Sequence, residues 1–164
     1  MNGKIDKRFS DPSAGPTPWA EAFAVLERAE LYWLTTVRAD GRPHVTPLIG
    51  VAENDAVYFC TGLDEQKRRN LEHHDRVALT TGNSSWASGV DVVVEGTAVR
   101  VTDDAALRRL ADAREAKYGS VWHWDVADGM FRHSDGGAAA VFRIEPTKVL
   151  AFAKDPHGQT TYRF

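Results

Sequence analysis

Leu31-Tyr32-Trp33-Leu34-Thr35-Thr36-Val37-Arg38, Ala39-Asp40-Gly41-Arg42 and Pro43-His44-Val45-Thr46-Pro47-Leu48-Ile49-Gly50-Val51 form the continuous stretch that decides the fold. The first segment is dense in aromatic and β-branched side chains, which suit a pleated, half-buried surface. Asp40-Gly41 is the strongest short-range hairpin signal in the chain, because a tight turn needs residues that tolerate positive φ. The partner strand, Pro43–Val51, sets Val45, Pro47, Ile49 and Val51 on one face by simple alternation. Pro43 and Pro47 have no N–H to give to a ladder, so one face or edge of this strand should be open.

Working outward, Glu53-Asn54-Asp55 makes a second turn and Ala56–Thr61 a third strand, which completes a meander. A short helix is expected over about Glu65–His73, followed by strands at Arg76–Thr81 and Val90–Val101 around a polar loop, 82–89. Thr102 and Asp103 can cap a helix running to about Tyr118, with Leu107, Leu110, Ala111, Arg114 and Tyr118 on one side and Gly119 as its stop. Upstream, Pro16 and Pro18 introduce a short amphipathic helix over Trp19–Ala29. After an aromatic-rich loop, Ala138–Ala153 supplies one or two more strands. Six or so mostly sequential antiparallel strands imply a mainly β fold, a closed or partly closed barrel decorated by short helices.

At 164 residues and 43% hydrophobic, the chain suits one domain with one core. Residues 19–164 are expected to form it, and 1–18 a flexible N-terminal arm without the apolar run of a signal peptide. A net charge of −3 makes no global electrostatic case for nucleic acid or an anionic membrane. No stretch approaches the roughly 20 apolar residues that span a bilayer. The single cysteine, Cys60, precludes an internal disulfide and suits a reducing cytoplasm.

Chemistry concentrates in Thr61-Gly62-Leu63-Asp64-Glu65-Gln66-Lys67-Arg68-Arg69-Asn70-Leu71. Free N–H groups at a helix start, a lysine beside them and a glycine that admits close backbone approach make a phosphate or carboxylate site. The same residues also read as a solvated helix with Asp64–Arg68 and Glu65–Arg69 pairs at i,i+4, and spacing does not choose between the two.

The order of the segments chooses. Leu34-Thr35-Thr36-Val37, Asp40-Gly41-Arg42-Pro43-His44-Val45-Thr46-Pro47, Val57-Tyr58-Phe59-Cys60-Thr61-Gly62, Lys67–Leu71, Asp75-Arg76-Val77-Ala78-Leu79 and Val94-Glu95-Gly96-Thr97-Ala98 together resemble the pyridoxamine 5′-phosphate oxidase-like split-barrel family over roughly 20–154. The ending, Ala151–Phe164, is similar to that of the actinobacterial branch using the deazaflavin coenzyme F-420. The resemblance implies a Greek-key-like split β-barrel homodimer with cofactor at the subunit interface. It sets the ring system along Val45, Thr46, Pro47 and Leu48, and the ribityl chain and phosphate near Cys60, Thr61 and Gly62. Lys67 is then the phosphate-binding lysine, with Gln66, Arg68 and Arg69 beside it.

Two departures bear on the cofactor. Pyridoxamine phosphate oxidases proper usually carry an Arg-Lys pair at the helix start and an arginine in the middle of the second strand, where this chain has Gln66-Lys67 and Thr46. Fewer cationic contacts disfavour vitamin B6 oxidation and tilt the reading toward F-420, with FMN the alternative. A non-catalytic carrier of deazaflavin, flavin or tetrapyrrole is the reading from another class. Hydride chemistry belongs to the cofactor, so no catalytic acid or base is named. The six histidines show no zinc spacing, and Cys60 reads as a packed small hydrophobe. Trp86, Trp122 and Trp124 are expected to pack at a dimer interface or roof the substrate groove.

Overall fold

Tyr32–Val37 and Pro43–Leu48 form the antiparallel hairpin that Asp40-Gly41 predicts, with Tyr32 opposite Leu48 and Thr35 opposite Val45. Gly41 takes φ 84°, where a side chain would be strained. A computed structural model describes residues 1–164. In chain order it contains β1 (Lys4–Ile5), α1 (Trp19–Arg28), β2 (Tyr32–Val37), β3 (Pro43–Leu48), β4 (Gly50–Glu53), β5 (Ala56–Gly62) and α2 (Gln66–His73). There follow β6 (Arg76–Thr81), β7 (Val90–Val101), α3 (Asp104–Tyr118), β8 (Asp125–Ala127), β9 (Met130–Arg132), β10 (Ala138–Lys154) and β11 (His157–Arg163). No helix is long and apolar enough to cross a membrane.

β3 and β4 are one extended run bent at Ile49, and the bend changes the pairing partner. Before it the run pairs with β2, and after it with β5. β5 pairs with β10, β10 with β7, β7 with β6 and β6 with β2, all antiparallel, so the strands close into a barrel. The long β10 holds β9 and then β7 along one edge and divides the other between β5 and β11. A register shift between Pro146 and Lys148 lets it curve, since a bulge adds twist and bend. Opposite Pro146, Gly96 is required, because a Cβ there would come within 2.2 Å of the Glu145 carbonyl oxygen.

Inward-facing residues of the ring, including Leu34, Phe59, Leu79, Val92, Ile144 and Val149, form the main core, and Ala22 and Leu26 of α1 close one end. A second, smaller cluster lies under α3, where Leu107, Leu110 and Ala111 meet Phe131, Ala139 and Val141. This is the stripe that helical spacing picked out. The caps also form, as the Asp103 side chain accepts from the Ala106 N–H at 2.8 Å and Gly119 ends the helix at φ 88°.

The C-terminus of α3 grips the bend. Lys117 Nζ donates to the Tyr32 hydroxyl at 3.1 Å and to the Gly50 carbonyl at 3.2 Å. The Tyr118 hydroxyl donates to the same carbonyl at 2.9 Å. Burial, only partly opposed by Glu30, lowers the Lys117 pKa to about 8.

Three segments differ from expectation. The stretch 1–18, expected to be a free arm, lies along β11: Lys4 and Ile5 pair with Thr161 and Thr160, and the Thr17 N–H donates to Thr160 Oγ1 at 2.9 Å. Backbone pairing to a distant strand leaves no apolar periodicity to read. The aromatic loop contains the β8–β9 hairpin, turned at Asp128-Gly129 with φ 55° and 65°. β11 forms a strand beyond the expected Ala138–Ala153.

Gly96→Ala should lower stability by about 1–3 kcal/mol, the range for a forced backbone shift, whereas half-exposed Val99→Ala should change it by under about 0.5 kcal/mol; chemical denaturation checks both. The pKa of Lys117 is lower in the folded chain, so unfolding takes up a proton, and stability should rise as pH climbs from about 8 toward 10. Melting temperatures of Lys117→Met across that window should lack the rise.

Candidate functional site

A cleft of about 590 Å³ opens where the end of β3, the end of β5 and the start of α2 face the second half of α3 and the segment leading into β10. Six of the residues singled out in the sequence line it: Pro47, Leu48, Cys60, Thr61, Gly62 and Lys67. The other five lie off its wall. Val45 is 54% exposed on the outer face of β3, and Thr46 is half-buried with its hydroxyl unpartnered. Gln66 donates to Asn70 Oδ1 at 2.7 Å, Arg68 pairs with Glu72 at 2.8 Å, and Arg69 is exposed.

The start of α2 is positioned by Asn70, which is 1% exposed and donates to Thr36 Oγ1 at 2.8 Å. That bond bolts the helix across β2 and turns Lys67 toward the cleft. The Lys67 side chain keeps 12% of its surface exposed and ion-pairs with Glu65, whose same oxygen accepts from the Thr61 hydroxyl at 2.7 Å. Burial would raise the Glu65 pKa, but the hydrogen bonds from Lys67 and Thr61 outweigh it and hold the carboxyl below its ordinary range. Neither of the i,i+4 pairs of the solvated-helix reading forms, since Glu65 precedes the helix and Arg68 turns to Glu72.

Burial pushes the Cys60 thiol up, with the nearby Arg114 and Lys67 cations pulling the other way, so it is a poor nucleophile. β3 pairs only with β2, so its other edge is open, as its prolines require. Trp122 and Trp124 stand in the cleft wall, while Trp86 is 95% exposed on a separate loop. His133 contacts Trp124 edge-on at 5.3 Å between ring centroids and pairs with Asp135 at 3.0 Å.

Sequence reasoning missed Glu65, Arg114, His133 and Asp135 as cleft residues. A charged residue on the buried stripe of α3 was the available signal for Arg114. Nothing local marks the others.

A model of the pyridoxamine 5′-phosphate oxidase family matches residues 18–153. The chain belongs to this family. No curated protein matches it. Solved structures share the family fold at low identity. A conserved hypothetical protein from Mycobacterium tuberculosis is 20% identical with a TM-score of 0.70, over 84% of this chain and 86% of that one. A heme binding protein from Mycobacterium smegmatis is 19% identical with a TM-score of 0.68, over 90% of this chain and 58% of that one. An F-420 reductase is 21% identical with a TM-score of 0.58, over 81% of this chain and 98% of that one. The match spans every residue that lines the cleft, and only β1, β11 and the last residue of β10 lie outside it among the strands.

The depressed Glu65 carboxyl stabilises the fold above its ordinary range, a contribution lost as pH falls through the lowered folded value. Melting curves from about pH 6 to pH 3 should therefore show a steeper acid loss for wild type than for Glu65→Gln.

Proposed function

We propose that the cleft binds a flavin-type cofactor, the deazaflavin F-420 ahead of FMN, and that the protein is an oxidoreductase passing a hydride to or from a small organic substrate. The observation that carries this is the Glu65 carboxylate. It draws together Lys67 Nζ and the Thr61 hydroxyl around one oxyanion, beside side-chain-free Gly62 and a helix start with no side-chain cap. Those donors suit a phosphate oxygen equally well, so the residues present fit the anionic tail of such a cofactor.

The fit extends along the cleft. Pro47 and Leu48 give an apolar wall at the open edge of β3, suited to a planar ring, and Trp122 and Trp124 exclude water from the opposite side. A bound flavin or deazaflavin supplies the hydride chemistry, and the chain supplies binding, orientation and a dry site. Lys67 and Thr61 hold the anionic tail, the backbone of β3 orients the ring, and no side chain is assigned as acid or base. Having Gln66 and Thr46 where pyridoxamine phosphate oxidases proper carry arginines supports F-420 over FMN and disfavours vitamin B6 as substrate.

The functional unit in this reading is a homodimer. Trp33 lies directly opposite Pro47 on the outer face of the β2–β3 hairpin, with exposed Val45 on the same face. An apolar face beside an open cleft is what a second copy would cover.

Titration of the purified protein with F-420 and with FMN tests the cofactor. F-420 should bind, and Lys67→Ala should weaken it about tenfold or more, the loss expected for a charge-assisted hydrogen bond. Equal binding by Lys67→Ala would remove the anchor, and tight FMN with no F-420 binding would overturn the deazaflavin choice. Binding without hydride transfer to unsaturated ketones or quinones would make the protein a carrier.

A further inference from the structure

Besides the Cys60 thiol, five ionisable side chains line the cleft: Glu65, Lys67, Arg114, His133 and Asp135. Lys67 pairs with Glu65, and His133 Nδ1 lies 3.0 Å from the Asp135 carboxylate. Arg114 is left over. It is 5% exposed, yet it takes part in none of the ion pairs of the chain. Its Nε is buried without a partner, and its side chain makes one long hydrogen bond, Nη1 to the Ile49 carbonyl at 3.3 Å. The guanidinium also lies over the Trp122 ring, 5.4 Å from its centroid.

A guanidinium carries five N–H donors, and a buried cation without a counter-charge is strongly unfavourable. Stacking on Trp122 returns only part of that loss. The three preceding buried positions of the α3 stripe are Leu107, Leu110 and Ala111, so an uncharged side chain at 114 would continue the stripe without stranding a charge. The arrangement makes physical sense when something else brings the negative charge.

We infer that Arg114 is a second anion-binding point of the cleft, distinct from Lys67, that receives a planar oxyanion of the bound ligand. The fork of the guanidinium matches a carboxylate, or the adjacent oxygen and nitrogen of a deprotonated ring edge, either of which can accept two parallel N–H bonds. The surrounding Ile49, Trp122 and Trp124 select a flat, apolar body on that anion. Two sources share this chemistry: the carboxylate of an unsaturated or aromatic acid substrate, and the polar edge of the cofactor ring. The inference rests on the cleft being the ligand site proposed above.

The test uses full-length wild type, Arg114→Gln and Arg114→Lys. Melting without ligand comes first, and Arg114→Gln should melt no lower than wild type, because it removes a stranded charge. Titration with F-420 and FMN follows, and then titration of the cofactor-loaded protein with cinnamate and, as its uncharged counterpart, cinnamamide. A loss of about tenfold or more in Arg114→Gln, partly restored in Arg114→Lys, supports the inference in either arm. Loss of cofactor binding assigns the oxyanion to the ring, and loss of cinnamate but not cinnamamide assigns it to the substrate. Unchanged affinity in both arms overturns the inference, as does a drop in melting temperature in both variants with ligand binding intact. If wild type binds neither cofactor, the cofactor reading fails by itself, and cinnamate against the unloaded protein still decides the role of Arg114.

Discussion

The bend at Ile49 is the constraint on which the rest of the molecule depends. One extended run serves two partners, β2 before the bend and β5 after it, and this exchange closes the barrel. It also leaves β3 with one open edge. The cleft exists because the chain leaves the β2 side there, and its wall is formed by Pro47, Leu48 and Ile49 as the strand turns away. Gly50 permits the turn, since a Cβ there would meet the Tyr58 carbonyl oxygen at 2.7 Å. Lys117 and Tyr118 hold the Gly50 carbonyl from α3, so the helix bearing Arg114 is fixed to the same point. Scaffold and site share one hinge of structure.

Charge inside the cleft follows from that geometry. Lys67 reaches it from the start of α2, Arg114 from α3, and His133 from the segment before β10. Lys67 ion-pairs with Glu65, His133 lies 3.0 Å from Asp135, and Arg114 has no carboxylate beside it. Glu65 neutralises Lys67, while Arg114 is left without a carboxylate of its own. Under the proposed reading, a ligand phosphate would displace Glu65 to use Lys67 and Thr61, because the same Glu65 oxygen holds both donors.

What could be read from the sequence was what is local. The Asp40-Gly41 turn, the Asp103 cap, the Gly119 stop and the stripe from Leu107 to Arg114 each depend on residues a few positions apart. The position of Lys67 at the start of α2 was legible for the same reason. Partners distant in the chain were not legible. β10 shares one edge between β5 and β11, and β1 joins the sheet through pairing with residues at the far end of the chain. The β8–β9 hairpin has an Asp-Gly turn of the same kind as the first, but strands of three residues are too short to show alternation. The solvated-helix alternative pairs Glu65 with Arg69 at i,i+4, and that spacing fails for a residue that precedes the helix. Arg114 was seen on the correct face, but its lack of a counter-ion is a property of packing alone.

A crystal structure of the protein grown with F-420 tests the central claim most directly. The account predicts the anionic tail within hydrogen-bond reach of Lys67 Nζ and the Thr61 hydroxyl, Glu65 displaced from both, and the ring lying along β3 at Pro47 and Leu48. A cofactor bound elsewhere on the protein, or one in the cleft with the Lys67–Glu65 pair intact, would contradict it.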